Sequence, residues 1–401
     1  MKKISFITIL FIIIFNFNTI GLPYGVMWSN IFSIGILSWL LLKKQYVFVF
    51  LSLFLLLFYM LLQYTTVAIS NLTSYILSAT YFYTSVLVGI FFFTYLNTKK
   101  LSSQKLDEIF MKIIKINIML TLIAILLYFT PLKEQLWITS NNINSLGETR
   151  LRLFFYEPAH YAYIFIVFLL YLFLNFFLYS EKKYFLPLLI TLLSIFLTKS
   201  LGVLSSMAIA FFFAALVFFL PLIQKFYKKV FLFFLTLLII LPLIGDSFMY
   251  RIKQTIEGKD NSGNVRLIYA TQSAYNMIKK YNFYFGVGFG QTKEYVLEFT
   301  AKIPGYGSDR LPNTFASTLA TVGFIGIILK ISFLVFFFLK THVYQNIFRL
   351  TLFFYTFIYG LSGGWMLNVY EFILWAFTFS TIFSKFDKKN ILKSRRRITN
   401  A

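Results

Sequence analysis

The sequence predicts an all-α membrane protein of about twelve transmembrane helices, and three observations carry that expectation. Hydrophobic residues make up 59% of the chain, with 53 Phe and 27 Tyr against 13% charged residues, and the mean hydropathy is +0.76. No soluble domain of 401 residues could hide so much apolar surface. Apolar runs recur at the length of about 17 to 25 residues that spans roughly 30 Å of hydrocarbon. Finally, Lys and Arg collect in alternate connections, as the positive-inside rule requires of a chain that crosses repeatedly.

Taken in order, Met1-Lys2-Lys3 and the run Ile4–Ile20 resemble a secretory signal. No small-residue cleavage site follows, and further apolar segments arrive at once, so a retained first helix is expected. Later spans are expected near Tyr24–Leu42, Tyr46–Leu62, Ser74–Leu96, Ile113–Thr130, Ala159–Tyr179, Tyr184–Thr198 and Val203–Leu222. Val230–Gly245, Asn313–Leu339, Leu350–Gly363 and Met366–Phe383 complete the set. With the amino terminus in the cytoplasm, the connections on that side hold Lys43-Lys44, Lys99 to Lys115, Lys182-Lys183, Lys225 to Lys229, Lys340 to Arg349 and the tail through Arg395-Arg396-Arg397. The opposite connections before Thr130 carry no charge. Both termini are therefore expected in the cytoplasm, with residues 1–401 forming one integral membrane domain. Lys330 and Glu371 are the notable charges inside the spans, either a functional pair or a structural one.

The net charge of +23 reads mainly as this topological signal rather than as a nucleic-acid footprint, and the basic tail as an anchor for anionic membrane lipid. The absence of Cys excludes disulfides, thiolate metal sites and Cys nucleophiles, and His160 and His342 alone make a His-rich metal site implausible. The cytoplasmic connections show no Gly-rich phosphate loop and no acidic nucleotide site.

Two sizeable loops remain on the exterior face, 131–158 and 246–312. The second carries charges from Arg251 to Arg310 that would each cost about 2.5 to 3.5 kcal/mol at the bilayer centre, so it belongs in water or at the headgroups. The first ends in Arg150-Leu151-Arg152 and then Glu157-Pro158-Ala159-His160, with Pro158 suited to a first helical turn and Glu157 at the positive end of the helix dipole. In the second, Val265 to Ile278 has apolar residues at helical spacing with Arg266 near its start, which predicts an amphipathic helix along the membrane surface. Gly286, Gly288 and Gly290 follow, either to bring backbone amides to an anion or to permit tight turns.

These pieces together resemble the Wzy-type polysaccharide polymerases and their relatives, the WaaL-type O-antigen ligases. The matching features are Arg150 to Pro158, Thr198-Lys199-Ser200-Leu201-Gly202, Arg266, the glycines at 286, 288 and 290, and Asn313-Thr314-Phe315 ahead of Gly323 and Gly326. Two positions depart from the pattern: Leu153 stands where the family often has Gly, and Pro312 where ligases carry His. The second departure favours a polymerase.

The resemblance implies a metal-independent glycosyltransferase without cofactor, acting on undecaprenyl-diphosphate-linked oligosaccharide in lipopolysaccharide O-antigen, capsule or exopolysaccharide synthesis. A flippase and a chain-length regulator are the implied partners. Transfer from a lipid diphosphate creates a departing anion, which the planar fork of Arg266 is suited to hold, with Arg150 or Arg152 as its partner. The attacking sugar hydroxyl must lose a proton, for which Glu157, made more basic by partial burial, or His160 is the base. Arg152, Gly286, Gly288, Gly290, Arg310 and Asn313 are expected to bind substrate. Rival readings are an O-antigen ligase, a flippase or secondary transporter, and a polyprenyl-phosphate-sugar glycosyltransferase. A transporter usually shows repeated halves, which this chain lacks.

Overall fold

The computed structural model describes residues 6–20, 27–98, 101–139, 149–219, 253–254, 257, 261–301, 310–364 and 366–392. The expected span Val230–Gly245, the basic stretch Lys225–Lys229, Lys99, Arg251 and Arg395–Arg397 lie outside them.

Helices α1 (Phe6–Asn16), α2 (Trp28–Ile31), α3 (Ser33–Leu42), α4 (Tyr46–Thr66), α5 (Leu72–Leu96) and α6 (Ser103–Leu127) open the chain. Strands β1 (Trp137–Thr139) and β2 (Thr149–Leu151) pair antiparallel in the connection between α6 and α7. Then come α7 (Pro158–Tyr179), α8 (Phe185–Leu197) and α9 (Leu201–Phe219), followed in the second loop by α10 (Ala270–Lys280) and α11 (Thr292–Thr300). The chain closes with α12 (Thr314–Lys340), α13 (Ile347–Ser362) and α14 (Val369–Phe379). Among the described residues, six helices are long and apolar enough to cross a membrane: α4, α5, α6, α7, α9 and α12. Shorter apolar helices, α1, α3, α13 and α14, occupy four more of the expected spans.

Local chemistry explains where the boundaries moved. The run expected as one span at Tyr24–Leu42 is divided between α2 and α3, where Asn30 Oδ1 accepts the Met27 N–H at 3.2 Å and the Ser33 hydroxyl donates to the Asn30 carbonyl at 2.5 Å. Short polar side chains of this kind offer the backbone an alternative to the helical ladder. Helix α6 begins at Ser103 rather than Ile113 because Ser102 caps it, accepting the Lys105 N–H at 3.1 Å. Lys105, Lys112 and Lys115 therefore ride on a helix instead of a loop.

Helix α7 is the central post. Of its apolar stretch 89% is buried in the bundle, against 11% for α4 at the periphery, so α7 is hydrophobic all round for packing while α4 is so for lipid. Buried polar side chains tie α7 to its neighbours: Tyr161 accepts from Asn117 Nδ2 at 2.8 Å and donates to Ser194 at 2.7 Å, joining α6, α7 and α8. Lys330 and Glu371 meet at 2.8 Å between α12 and α14, with Trp375 Nε1 donating to the same carboxylate oxygen at 3.2 Å.

Alternating directions bring the basic connections to one end. There Tyr171 and Tyr184 donate to Asp107, Lys385 bonds Tyr171 and Asn175, and Arg349 bonds Thr341 and Thr378. The starts of α7, α9, α12 and α14 and the finish of α13 occupy the other end, together with the described parts of the 131–158 and 246–312 connections.

At that end α12 is broken. Gly323 adopts φ 64° and ψ −164°, a conformation that costs a side-chain-bearing residue heavily, and the freed backbone groups are answered by the second loop. Val287 and Gly288 donate to the Ala320 and Thr321 carbonyls at 2.8 and 3.1 Å, while Phe324 and Ile325 donate to Phe283 and Tyr284 at 3.1 Å each. Gln63 of α4 adds its amide to Phe285 and Thr321, and Tyr59 adds its hydroxyl to Val322. A membrane helix tolerates a break where protein satisfies its backbone, and this one is closed on all sides by such partners.

Candidate active site

Strand β2 delivers Arg150. Its neighbour Leu151 is buried opposite Trp137 of β1, and the alternation of strand side chains turns Arg150 to the other face. Arg150 Nε donates to the Thr198 carbonyl at 2.8 Å, in the turn between α8 and α9. The backbone then folds back: Arg152 and Leu153 both donate to the Leu136 carbonyl at 3.0 Å. Leu153, the position where the resembling family often has Gly, is left-handed with φ 48°, and Lys199 in the opposing turn also has φ 48°. Such a conformation costs a residue with a Cβ about 1 to 2 kcal/mol, and strained residues gather at functional sites.

Glu157 is the N-cap of α7, with Pro158 at the first helical position, as the dipole argument expects. Its carboxylate makes no capping bond, and its side chain is 64% exposed. The partial burial expected of Glu157 falls instead on His160, which is 5% exposed one turn deeper. His160 Nε2 and Glu157 Oε2 are 4.0 Å apart. Arg266 also lies within electrostatic reach of His160.

The helical spacing at Val265–Ile278 is realised as a π-helical turn, Val265–Tyr269, that runs into α10. Single π turns are often found at functional sites, because the extra residue re-aims a side chain, and Arg266 sits in this one. The apolar face of α10 is turned to protein. Ala270, Ala274, Met277 and Ile278 pack in one cluster with Ala316, Leu319, Ala320 and Ile327 of α12. Asn313 locks the join: its Oδ1 caps α12 through the Ala316 N–H, and its Nδ2 donates to the Arg266 carbonyl.

Glu157 and His160 are thus paired, with Arg266 in electrostatic reach of His160 and both Arg266 and Arg150 in reach of Tyr359 on α13, and the remaining expected site residues are placed differently. Arg152 turns away to the Glu134 carbonyl at 3.0 Å. Arg310 is exposed, just ahead of Asn313. Gly286 and Gly288, expected to offer amides to an anion, have those amides engaged by Asn282 and Thr321. Their lack of a side chain serves close approach: a Cβ on Gly286 would stand 2.5 Å from the Ala320 carbonyl oxygen, and one on Gly290 2.5 Å from that of Ser74. The reading of the glycines as permitting tight turns is therefore the one that the packing supports.

Sequence reasoning did not find Tyr359 of α13. It is 3% exposed, and the charges acting on it are Arg266, Glu157 and Arg150. With so many tyrosines in the chain, neither its type nor its place in an apolar helix marked it.

A family model described as O-Antigen ligase matches residues 186–331. That stretch runs from α8 to the broken part of α12 and includes Thr198, Arg266, the three glycines and Asn313, while Arg150, Glu157, His160 and Tyr359 lie outside it. The match supports the superfamily of O-antigen ligases and polymerases, and with it a polysaccharide-related membrane enzyme, rather than either activity by itself. No curated protein and no solved structure matches the chain.

Proposed function

We propose that this chain is a polysaccharide polymerase of the bacterial cytoplasmic membrane, joining undecaprenyl-diphosphate-linked repeat units on the extracytoplasmic face. The observation that carries the reading is the meeting of Arg150 and Arg266 with Glu157 and His160 at the end of the bundle opposite the basic connections. In the transfer, an acceptor sugar hydroxyl attacks the anomeric carbon of the donor glycan. The bond from that carbon to the diphosphate oxygen breaks, and the hydroxyl proton passes to Glu157 or to His160 behind it. Charge then grows on the departing diphosphate, where guanidinium groups held out of bulk water stabilise it more than they stabilise the ground state.

An O-antigen ligase is the second reading, since the family match serves the two activities alike. Pro312, where ligases carry His, speaks for polymerisation. Cellular products separate the possibilities in a strain whose only copy carries Arg266→Ala. A failed polymerase leaves single repeat units at the surface, a failed ligase leaves long chains on their lipid carrier, and a failed flippase leaves repeat units facing the cytoplasm. Single repeats are expected. Long lipid-linked chains would move the assignment to the ligase, and normal chain length in a well-expressed variant would remove Arg266 from the mechanism.

A further inference from the structure

Several buried tyrosines of the central helices have hydroxyl partners, as buried phenols ordinarily do. Tyr161 bonds Asn117 and Ser194, Tyr171 bonds Asp107, Tyr370 accepts from Asn18, and Tyr355 donates to the Tyr163 carbonyl at 3.2 Å. The Tyr359 hydroxyl differs from these: at 3% exposure, it makes no hydrogen bond among the described residues.

The slot around its ring is closely defined. Tyr163 stacks on one face with centroids 4.4 Å apart and planes at 26°. Gly363 lies beneath the phenol, where a Cβ would stand 2.7 Å from Cζ and 2.9 Å from the hydroxyl oxygen, and Gly202 of α9 lies beside Cε2. Gly363 is in turn fixed by Thr314, whose N–H and hydroxyl both donate to its carbonyl at 3.0 and 3.2 Å. Thr314 follows Asn313, which holds the Arg266 carbonyl, so a continuous set of backbone contacts sets the phenol relative to Arg266. Gly202, at the start of α9, sets it relative to the Thr198 turn that holds Arg150.

From this geometry we infer that the Tyr359 hydroxyl is a further catalytic group, donating a hydrogen bond to a diphosphate oxygen of the lipid-linked donor beside Arg150 and Arg266. The inference rests on the diphosphate reading given above. Stacking and fit alone would be served equally by Phe; what a tyrosine adds is a neutral directional donor. Such a donor gains strength as negative charge accumulates on the departing oxygen. It also brings no second charge that would need desolvating.

The test uses the full chain in lipid nanodiscs, with undecaprenyl diphosphate as probe and affinity read by intrinsic fluorescence. Tyr359→Phe should keep the melting temperature of the parent and weaken the probe by about tenfold, the scale of one hydrogen bond to a charged group. Parental affinity in a folded Tyr359→Phe protein, with Arg266→Ala weakened, overturns the role of Tyr359 and leaves the diphosphate reading standing. No binding by the parent protein overturns the diphosphate reading and this inference together. Should Tyr359→Phe fail to fold, Gly363→Ala displaces the phenol while leaving it in place chemically. Weakening of about tenfold is then expected, and unchanged affinity would overturn the inference.

Discussion

Asn313 grips the backbone of Arg266 while capping α12: its amide nitrogen donates to the Arg266 carbonyl, and its oxygen accepts the Ala316 N–H at 2.5 Å. A carboxamide can do both because it donates at one atom and accepts at the other. Asn313→Asp keeps the cap and sets a carboxylate oxygen against the carbonyl. The variant should lose about 1 to 3 kcal/mol of stability by thermal melting, because a part-buried carbonyl loses its donor, and about tenfold or more in the proposed polymerisation rate, since a small misplacement of a positioned group is costly. Parental activity would mean that the clasp does not position Arg266.

On the diphosphate reading, Arg266→Ala removes an interaction that strengthens in the transition state. A loss of about 3 to 4 kcal/mol, a few-hundredfold in rate, is expected from the scale of lost oxyanion donors. Protein level should hardly change, and Arg266→Lys should recover only part of the rate, because a point charge replaces a fork. Initial rates in proteoliposomes supplied with lipid-linked repeat units measure both.

Lys330 and Glu371 are worth more as a pair than either is alone. With the Glu371 side chain 7% exposed, Lys330→Met leaves a buried uncompensated charge and should destabilise by about 3 to 5 kcal/mol, whereas Lys330→Met with Glu371→Leu should recover most of that. Additive losses in the double variant would contradict a structural pair.

Sidedness can be read with a fluorescent reporter that matures only in the cytoplasm. Fusions truncated after Lys183 or Arg397 should fluoresce, and one truncated after Thr139 should not, by the positive-inside rule. Fluorescence after Thr139 would invert the bundle and place the Arg150 cluster on the wrong side for an exported substrate.

Much of the helical scaffold was legible because a span is a one-dimensional property: enough consecutive apolar residues to cross hydrocarbon identify α4, α5, α7, α9 and α12 whatever their neighbours. Boundaries were less so, since Ser102 moves the start of α6 and Asn30 with Ser33 divides a span through hydrogen bonds of a few atoms. Arg150, Glu157, His160 and Arg266 could be singled out as site candidates, because charges and a histidine beside apolar walls are expensive and conspicuous.

The sequence by itself determined the class of protein, the alternation of basic and uncharged connections, and the residue types available for chemistry. Only the tertiary structure decided which of these meet. It turned Arg152 away to Glu134, buried His160 behind an exposed Glu157, and engaged the amides of Gly286 and Gly288 in the fold around Gly323. Tyr359 was slotted over Gly363. These outcomes depend on hydrogen-bond partners and steric clearances between segments up to hundreds of residues apart, and neither hydropathy nor spacing along one chain encodes such distances.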